Sequence, residues 1–237
     1  MEKLRPNEQR AKNAIILIWI VLALEIVNLI SSYMQYDLLQ TVANGGFISD
    51  EVAEANDTRE SFLGIIYFII YISSGITFIM WFRRAYFNLH QKVNWLNHSE
   101  GWAAGCWFVP IVNLYRPYQI MKELYIETKK LLTKKGLSEK VNYTTDYLGW
   151  WWTLWIISGI IGQIIFRYSI RGDTDTIGSL TTITFAQMIL GVLGIPLALI
   201  TVKIIRDYSK VEPLLAQIND EEPKNNEDNT ERLLNTE

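Results

Sequence analysis

One cysteine, two histidines and six prolines in 237 residues exclude several kinds of chemistry before any pattern is sought. Cys106 has no partner for an internal disulfide, and inside an apolar run it reads as a small buried hydrophobe. His90 and His98 stand eight apart with no cysteine or histidine cluster around them, and the H-E-x-x-H, G-x-S-x-G and phosphate-loop patterns are absent. The expectation is no cofactor, no metal and no catalysis. Asp173-Thr174-Asp175 comes nearest to a metal-binding acid pair, but its place in a short connection between apolar runs reads as a turn, and Arg171-Gly172-Asp173 is a chance tripeptide. A large charge of one sign is also missing: the formal net charge is -3, which gives nucleic acid nothing to bind. No internal repeat is visible.

What the chain has is apolar residues in long blocks, 49% of the total. Four runs, at 14–34, 62–82, 148–168 and 180–205, each offer about 20 residues, which at ~1.5 Å per residue match a hydrocarbon core of ~30 Å. The pattern predicts an all-α, polytopic transmembrane helix bundle. The first run is too long for the apolar part of a secretory leader and no small-residue cleavage pattern follows it, so it is expected to be a retained helix after a polar stretch at 1–13. The other end differs: from Glu212 onward eight acids face only Lys224 and Arg232, so the tail carries -6 and the body +3. Residues 211–237 lack apolar periodicity and are expected to be disordered.

Basic residues orient the bundle. Lys3, Arg5, Arg10 and Lys12 precede the first span, whereas the loop after it has only Arg59 among six acids. Arg83, Arg84 and Lys92 follow the second span, and Lys203, Arg206 and Lys210 close the last. Both termini are therefore expected to be cytoplasmic. Between the middle spans lies the run Gly101 to Tyr125, GWAAGCWFVPIVNLYRPYQIMKELY, apolar at first but cut by Pro110 and Pro117. A crossing there would expose seven basic residues between Tyr115 and Tyr147 on the outside, which the charge rule rejects. Residues 101–114 are thus expected to be re-entrant or interfacial. Residues 117–133, with Tyr118, Met121, Leu124, Tyr125, Thr128 and Leu132 at helical spacing opposite Gln119, Lys122, Glu123, Lys129 and Lys130, predict an amphipathic helix on the inner surface. All nine tryptophans fall near this same boundary, beyond what ordinary interfacial anchoring asks of one face.

The residues Trp81, Arg83, Arg84 and Asn88, then Gly101-Trp102-Ala103, Trp107-Phe108-Val109-Pro110, Asn113-Leu114, Arg116-Pro117-Tyr118, Lys122-Glu123 and Gly149-Trp150-Trp151-Trp152-Thr153-Leu154-Trp155, carry a resemblance. The chain resembles, from about residue 62 to 206, the bacterial membrane family called domain of unknown function 4328. The resemblance implies a multipass protein of the bacterial inner membrane and supplies no activity.

Two constellations are candidates for function. Arg83, Arg84, Asn88, Trp102, Trp107, Asn113, Arg116 and Trp151 combine guanidinium forks with indoles at headgroup depth, which suits the phosphate or carboxylate of a lipid or amphiphile; plain positive-inside anchoring needs no ligand. Within the spans, Glu25 and Asn28 share a face of the first helix, with Gln163 and Gln187 in the last two. A carboxyl at mid-membrane costs about 2.5–3.5 kcal/mol or more, so Glu25 is expected to face the bundle, bonded to Gln163, Gln187 or Ser74, or else to handle protons or ions. Gly101 and Gly105, and Gly191, Gly194 and Pro196, read as packing and kink positions. The leading expectation is non-enzymatic binding of a lipid, an amphiphile or a partner subunit, including a second copy of the chain, at the cytoplasmic face of the bilayer. The alternative is a small transporter or channel using Glu25 and the broken segment 101–117.

Overall fold

The computed structural model describes residues 4–137, 143–170 and 176–218, and these contain helices and turns only. In chain order the helices are α1 (Glu8–Ala43), α2 (Asp50–His90), the single turn α3 (Trp102–Gly105), α4 (Arg116–Lys134), α5 (Asp146–Ile170) and α6 (Ile177–Val211). A 3-10 turn, Val112–Leu114, precedes α4 and a 3-10 helix, Glu212–Gln217, follows α6. Four of these, α1, α2, α5 and α6, are long and apolar enough to cross a membrane, at the four predicted places. The segment 101–114 supplies no helix that could cross, because α3 has four residues and the 3-10 turn three.

The helices outrun the predicted spans. With 36 residues in α1 and 41 in α2, they extend about 54 and 61 Å, well past a hydrocarbon core of ~30 Å. The α1–α2 connection, open in the sequence from 35 to 61, therefore narrows to residues 44–49 between two helical extensions. Ser49 caps α2 by accepting the Val52 N–H. Arg59 ties the two extensions together: its Nε donates to Ser31 Oγ at 2.8 Å and its Nη2 to Asn56 Oδ1 at 2.6 Å, while the Ser31 hydroxyl donates to Glu60. The Arg171 to Asp175 turn lies outside the described residues.

α1 and α6 form the central pair, with α2 laid along α1 and α5 along α6. Glycine lets the central pair close up: Gly191 faces Leu29, and any side chain at Gly194 would collide with the Glu25 carboxylate. Elsewhere the spans bury little. Only 11% of the apolar stretch of α2 is buried within the protein and 22% of that of α1, so lipid is the environment for the remainder.

The core proper sits beyond the spans, at the end that carries the N-terminus, which the basic residues are expected to place inside and which is termed the inner end. Trp81, Phe82, Ala85, Tyr86 and Leu89 of α2, Ile120, Met121, Leu124, Tyr125 and Leu132 of α4, and Ile204, Ile205 and Tyr208 of α6 are all fully buried there. α4 thus departs from the interfacial reading: its apolar face is covered by the ends of α2 and α6 instead of resting on lipid. Tyr125 donates to the Ile204 carbonyl at 2.6 Å, and Tyr143 donates to the Tyr125 carbonyl at 2.9 Å. The helix itself starts where Pro117 fixes φ for a first turn.

Both ends of the described chain join this core. Asn7 is buried, and the tail does not loosen at residue 211: Glu212 and Leu215 are buried in the 3-10 helix and Ile218 closes the core. A buried polar clasp joins the two. Asn7 Nδ2 donates to both Glu212 oxygens at 3.1 and 3.0 Å, and Asn88 Nδ2 donates to Glu212 Oε1 at 2.7 Å. Residues 219–237, the rest of the predicted disordered tail, lie outside the described residues.

Candidate functional site at the inner face

The chain between α3 and α4 forms a loop with an apolar apex. Pro110, Ile111 and Val112 make a γ-turn in which the Val112 N–H reaches the Pro110 carbonyl at 2.8 Å, with Ile111 at φ 68°. A β-branched residue is strained at positive φ and stays there only when its surroundings hold it. The hold comes from both sides of the apex. Trp107 stands edge-on to Phe78 of α2 at 5.8 Å and to Trp155 of α5 at 5.6 Å. Beyond the apex, Trp152 Nε1 donates to the Leu114 carbonyl at 3.0 Å. What the loop presents outward is Phe108 and Ile111, each 75% exposed.

Arg116 lies at the base of this loop. Its guanidinium carbon stands 5.1 Å from the centroid of Trp102 and 5.7 Å from that of Tyr115. Its Nε is shielded from solvent and has no hydrogen-bond partner. No carboxylate pairs with it among the described residues, so a fork able to grip a planar or tetrahedral anion is positioned by rings alone. Asn113, in the 3-10 turn, is half-buried beside it in sequence.

The eight residues picked from the sequence therefore fall into groups. Trp102, Trp107, Asn113 and Arg116 belong to the loop. Trp151 is buried, its Nε1 donating to Thr201 Oγ1 at 3.1 Å, so it supports α5 on α6. Asn88 is filled as well: besides Glu212 it donates to the Arg5 carbonyl and accepts from the Arg5 N–H, both at 2.9 Å. Arg83 pairs with Glu100 at 3.1 Å. Arg84 stands among the charges of Arg10, Arg5, Arg83, Glu100 and the buried Glu212, whereas Arg116 stands near Cys106.

A residue assigned to the solvent face of α4 proves to be internal. Glu123 is 9% exposed and takes four donors. The Asn97 N–H and side-chain amide reach Oε1 at 2.7 Å each, and the Tyr86 hydroxyl at 2.5 Å and His98 Nδ1 at 3.2 Å reach Oε2. Burial pushes this carboxyl up, but the Asn97, Tyr86 and His98 donors outweigh it and hold Glu123 below the ordinary carboxylate value. Helical periodicity alone gave no sign of this, since it was the loop 91–101, folding over α4, that brought the donors. His90 enters the same cluster, its Nε2 at 2.9 Å from the His98 carbonyl. Glu123 also lines a cleft of about 350 Å³ with Trp95, Glu127 and Lys130.

In the spans, Glu25 is 8% exposed, as expected of a carboxyl facing the bundle. None of the foreseen partners bonds to it among the described residues: Gln163 and Gln187 are exposed on α5 and α6 and Ser74 makes no bond to it, while Tyr67 of α2 is the nearest polar group acting on it. Asn28 is half-buried one turn along.

A family model described as Domain of unknown function (DUF4328) matches residues 44–210, from the α1–α2 connection through almost all of α6. No curated protein and no solved structure matches the chain.

Proposed function

Because the chain belongs to the DUF4328 family, whose description assigns no activity, we propose a function from the site itself: non-enzymatic binding of a lipid or other amphiphile at the cytoplasmic face of a bacterial inner membrane. The observation that carries this reading is Arg116, set between the Trp102 and Tyr115 rings without an acidic partner, directly behind an apex of exposed apolar residues. An amphiphile has the complementary form, an anionic or polar head for the fork and a chain for Phe108 and Ile111. The flanking bases, Arg5 and Arg10 before α1 and Lys203 and Arg206 at the end of α6, support the cytoplasmic placement of this end.

Native mass spectrometry of protein extracted in a mild detergent tests the proposal. Wild type retains an amphiphile that Arg116→Ala and Trp107→Ala lose. Identical retained species in all three would remove the support for it.

A second reading rests on Glu25. Its carboxylate occupies the notch at Gly194 between α1 and α6, next to Tyr67, where a transporter or channel would place a proton- or ion-handling group. Flux into proteoliposomes decides it: pH-dependent transport lost in Glu25→Gln supports this reading, and no flux in wild type ends it.

A further inference from the structure

The polar residues of the spans are unevenly placed about Glu25. From Glu25 away from the aromatic core, α1 carries Asn28, Ser31, Ser32 and Gln35 at helical spacing along one face. α2 and α6 answer at the same levels: Glu60 and Arg59 meet Ser31, and the buried Thr184 hydroxyl accepts from Gln35 Nε2 at 3.0 Å. From Glu25 toward the core the same three helices change character. α1 buries Leu22, Ile18, Ala14 and Ala11, α6 buries Ala198, Val202 and Ile205, and α2 buries Phe78, Trp81 and Phe82. Among the described residues only Ser74 adds a buried polar side chain along that stretch. At ~1.5 Å per residue, Glu25 thus has about 15 Å of polar seam between it and Gln35, and about 16 Å of apolar packing from Leu22 to Ala11.

Hydrogen bonds between helices account for Ser31, Glu60, Arg59, Gln35 and Thr184, which bond to one another. They do not account for Asn28 and Ser32. Ser32 is buried and Asn28 half-buried, yet neither side chain makes a hydrogen bond among the described residues. An amide and a hydroxyl at that depth are costly without a partner. Water entering along the seam from the end opposite the core supplies one to both. The ionisable groups near Glu25 are Tyr67 and Tyr71 of α2, and α6 carries none from Ile177 to Val202.

We infer that α1, α2 and α6 form a half-channel, lined by Gln35, Ser31, Ser32 and Asn28, through which Glu25 exchanges protons with the side of the membrane opposite the aromatic core and with that side alone. A proton carried by water along the seam bonds to the Glu25 carboxylate and neutralises it, and the return step gives the proton back to water. Leu22 and Ile18 deny it a second exit. The inference deepens the second reading above and rests on it for the role of Glu25 as a proton carrier, while requiring no transport.

Two measurements on the full chain in sealed membrane vesicles test it. In the first, single cysteines in a Cys106→Ser background meet a small, charged, thiol-specific reagent. Asn28→Cys and Ser32→Cys should react from the side on which Asp50→Cys reacts, and Leu22→Cys and Ile18→Cys from neither side. In the second, dicyclohexylcarbodiimide, which crosses lipid and modifies protonated carboxyls, is added to wild type with the two sides buffered at different pH, and Glu25→Gln serves as the blank. Modification of Glu25 should fall by up to about tenfold for each pH unit raised on the Asp50 side and stay unmoved by the pH on the Lys134 side. Modification that follows the pH on the Lys134 side, or neither side, would overturn the inference, as would Asn28→Cys and Ser32→Cys that react from neither side. Wild type alone carries the second measurement, so a cysteine variant that fails to fold leaves the test intact. Absence of flux in proteoliposomes would end the transporter reading without altering either result, because neither measurement needs turnover.

Discussion

Trp81 and Phe68 lie on one helix, α2, yet Trp81 is 0% exposed and Phe68 is 65% exposed. The first sits in the inner-end core, against Phe78, Phe82 and Tyr208; the second faces the membrane. The contrast extends across the molecule. The spans meet along the α1 and α6 seam and leave most of their surface to lipid, whereas the inner end packs side chains from α2, α4, α6, the N-terminal segment and the 3-10 helix into one aromatic core. A lipid-facing residue gains little from a protein partner, since hydrocarbon is as apolar as leucine. A residue beyond the hydrocarbon must hide from water, and the hydrophobic effect acts there at full strength.

The largest expected effect separates these two regions directly. Trp81→Ala should lower stability by about 3–5 kcal/mol through the cavity it leaves, while Phe68→Ala leaves it nearly unchanged; thermal unfolding in lipid nanodiscs compares them. Equal losses would mean that the core does not carry the fold. Glu212→Ala probes the polar side of the same region by stripping Asn7 and Asn88 of their shared acceptor. A cost of about 1–3 kcal/mol follows for buried amides left unpaired, and the readout is the denaturation midpoint together with faster proteolysis of the N-terminal segment.

Within the spans the comparison is sharpened at the glycine seam. Gly194→Ala drives a methyl group into the Glu25 carboxylate and should cost about 1–3 kcal/mol. Gly191→Ala meets Leu29 at 3.4 Å and costs less, as side-by-side melting curves would show. The smallest effect is one of pH. Glu123 is held below its ordinary value of 4.5, so its stabilising contribution is complete above that value and fades as the pH falls through its lowered, folded-state value. The difference in Tm between wild type and Glu123→Gln should stay constant from neutral pH to about 4.5 and close only in stronger acid. A gap that closes near neutral pH would contradict the four-donor arrangement.

The spans were legible because their signal is local: twenty apolar residues have one use. α4 was legible too, as residues 117–133 against the observed Arg116–Lys134, because Pro117 marks a start and the 3.6-residue period marks a face. The resemblance to the family was confirmed by the match over residues 44–210. What the sequence hid were groups whose meaning depends on a distant partner. Glu123 has the polarity of a surface residue, and only loop 91–101 makes it internal. Asn7 and Glu212 are separated by 205 residues, so no window joins them. Glu25 was recognised as a residue that must face the bundle, but a tyrosine on α2 competes poorly for notice with glutamines in later spans. Helical extension of the outer ends was missed for a related reason, since polar helices beyond the membrane carry no hydropathy signal.

If α3, the apolar loop, α4 and both ends of the described chain share one side of the bilayer, labelling of single cysteines in a Cys106→Ser background shows it most directly. Asp50→Cys, at the start of α2, should react with an impermeant maleimide applied to intact cells, and Lys134→Cys, at the end of α4, should react only after the membrane is opened. Labelling of Lys134→Cys from outside would contradict the account, since it would require the segment at 101–114 to cross.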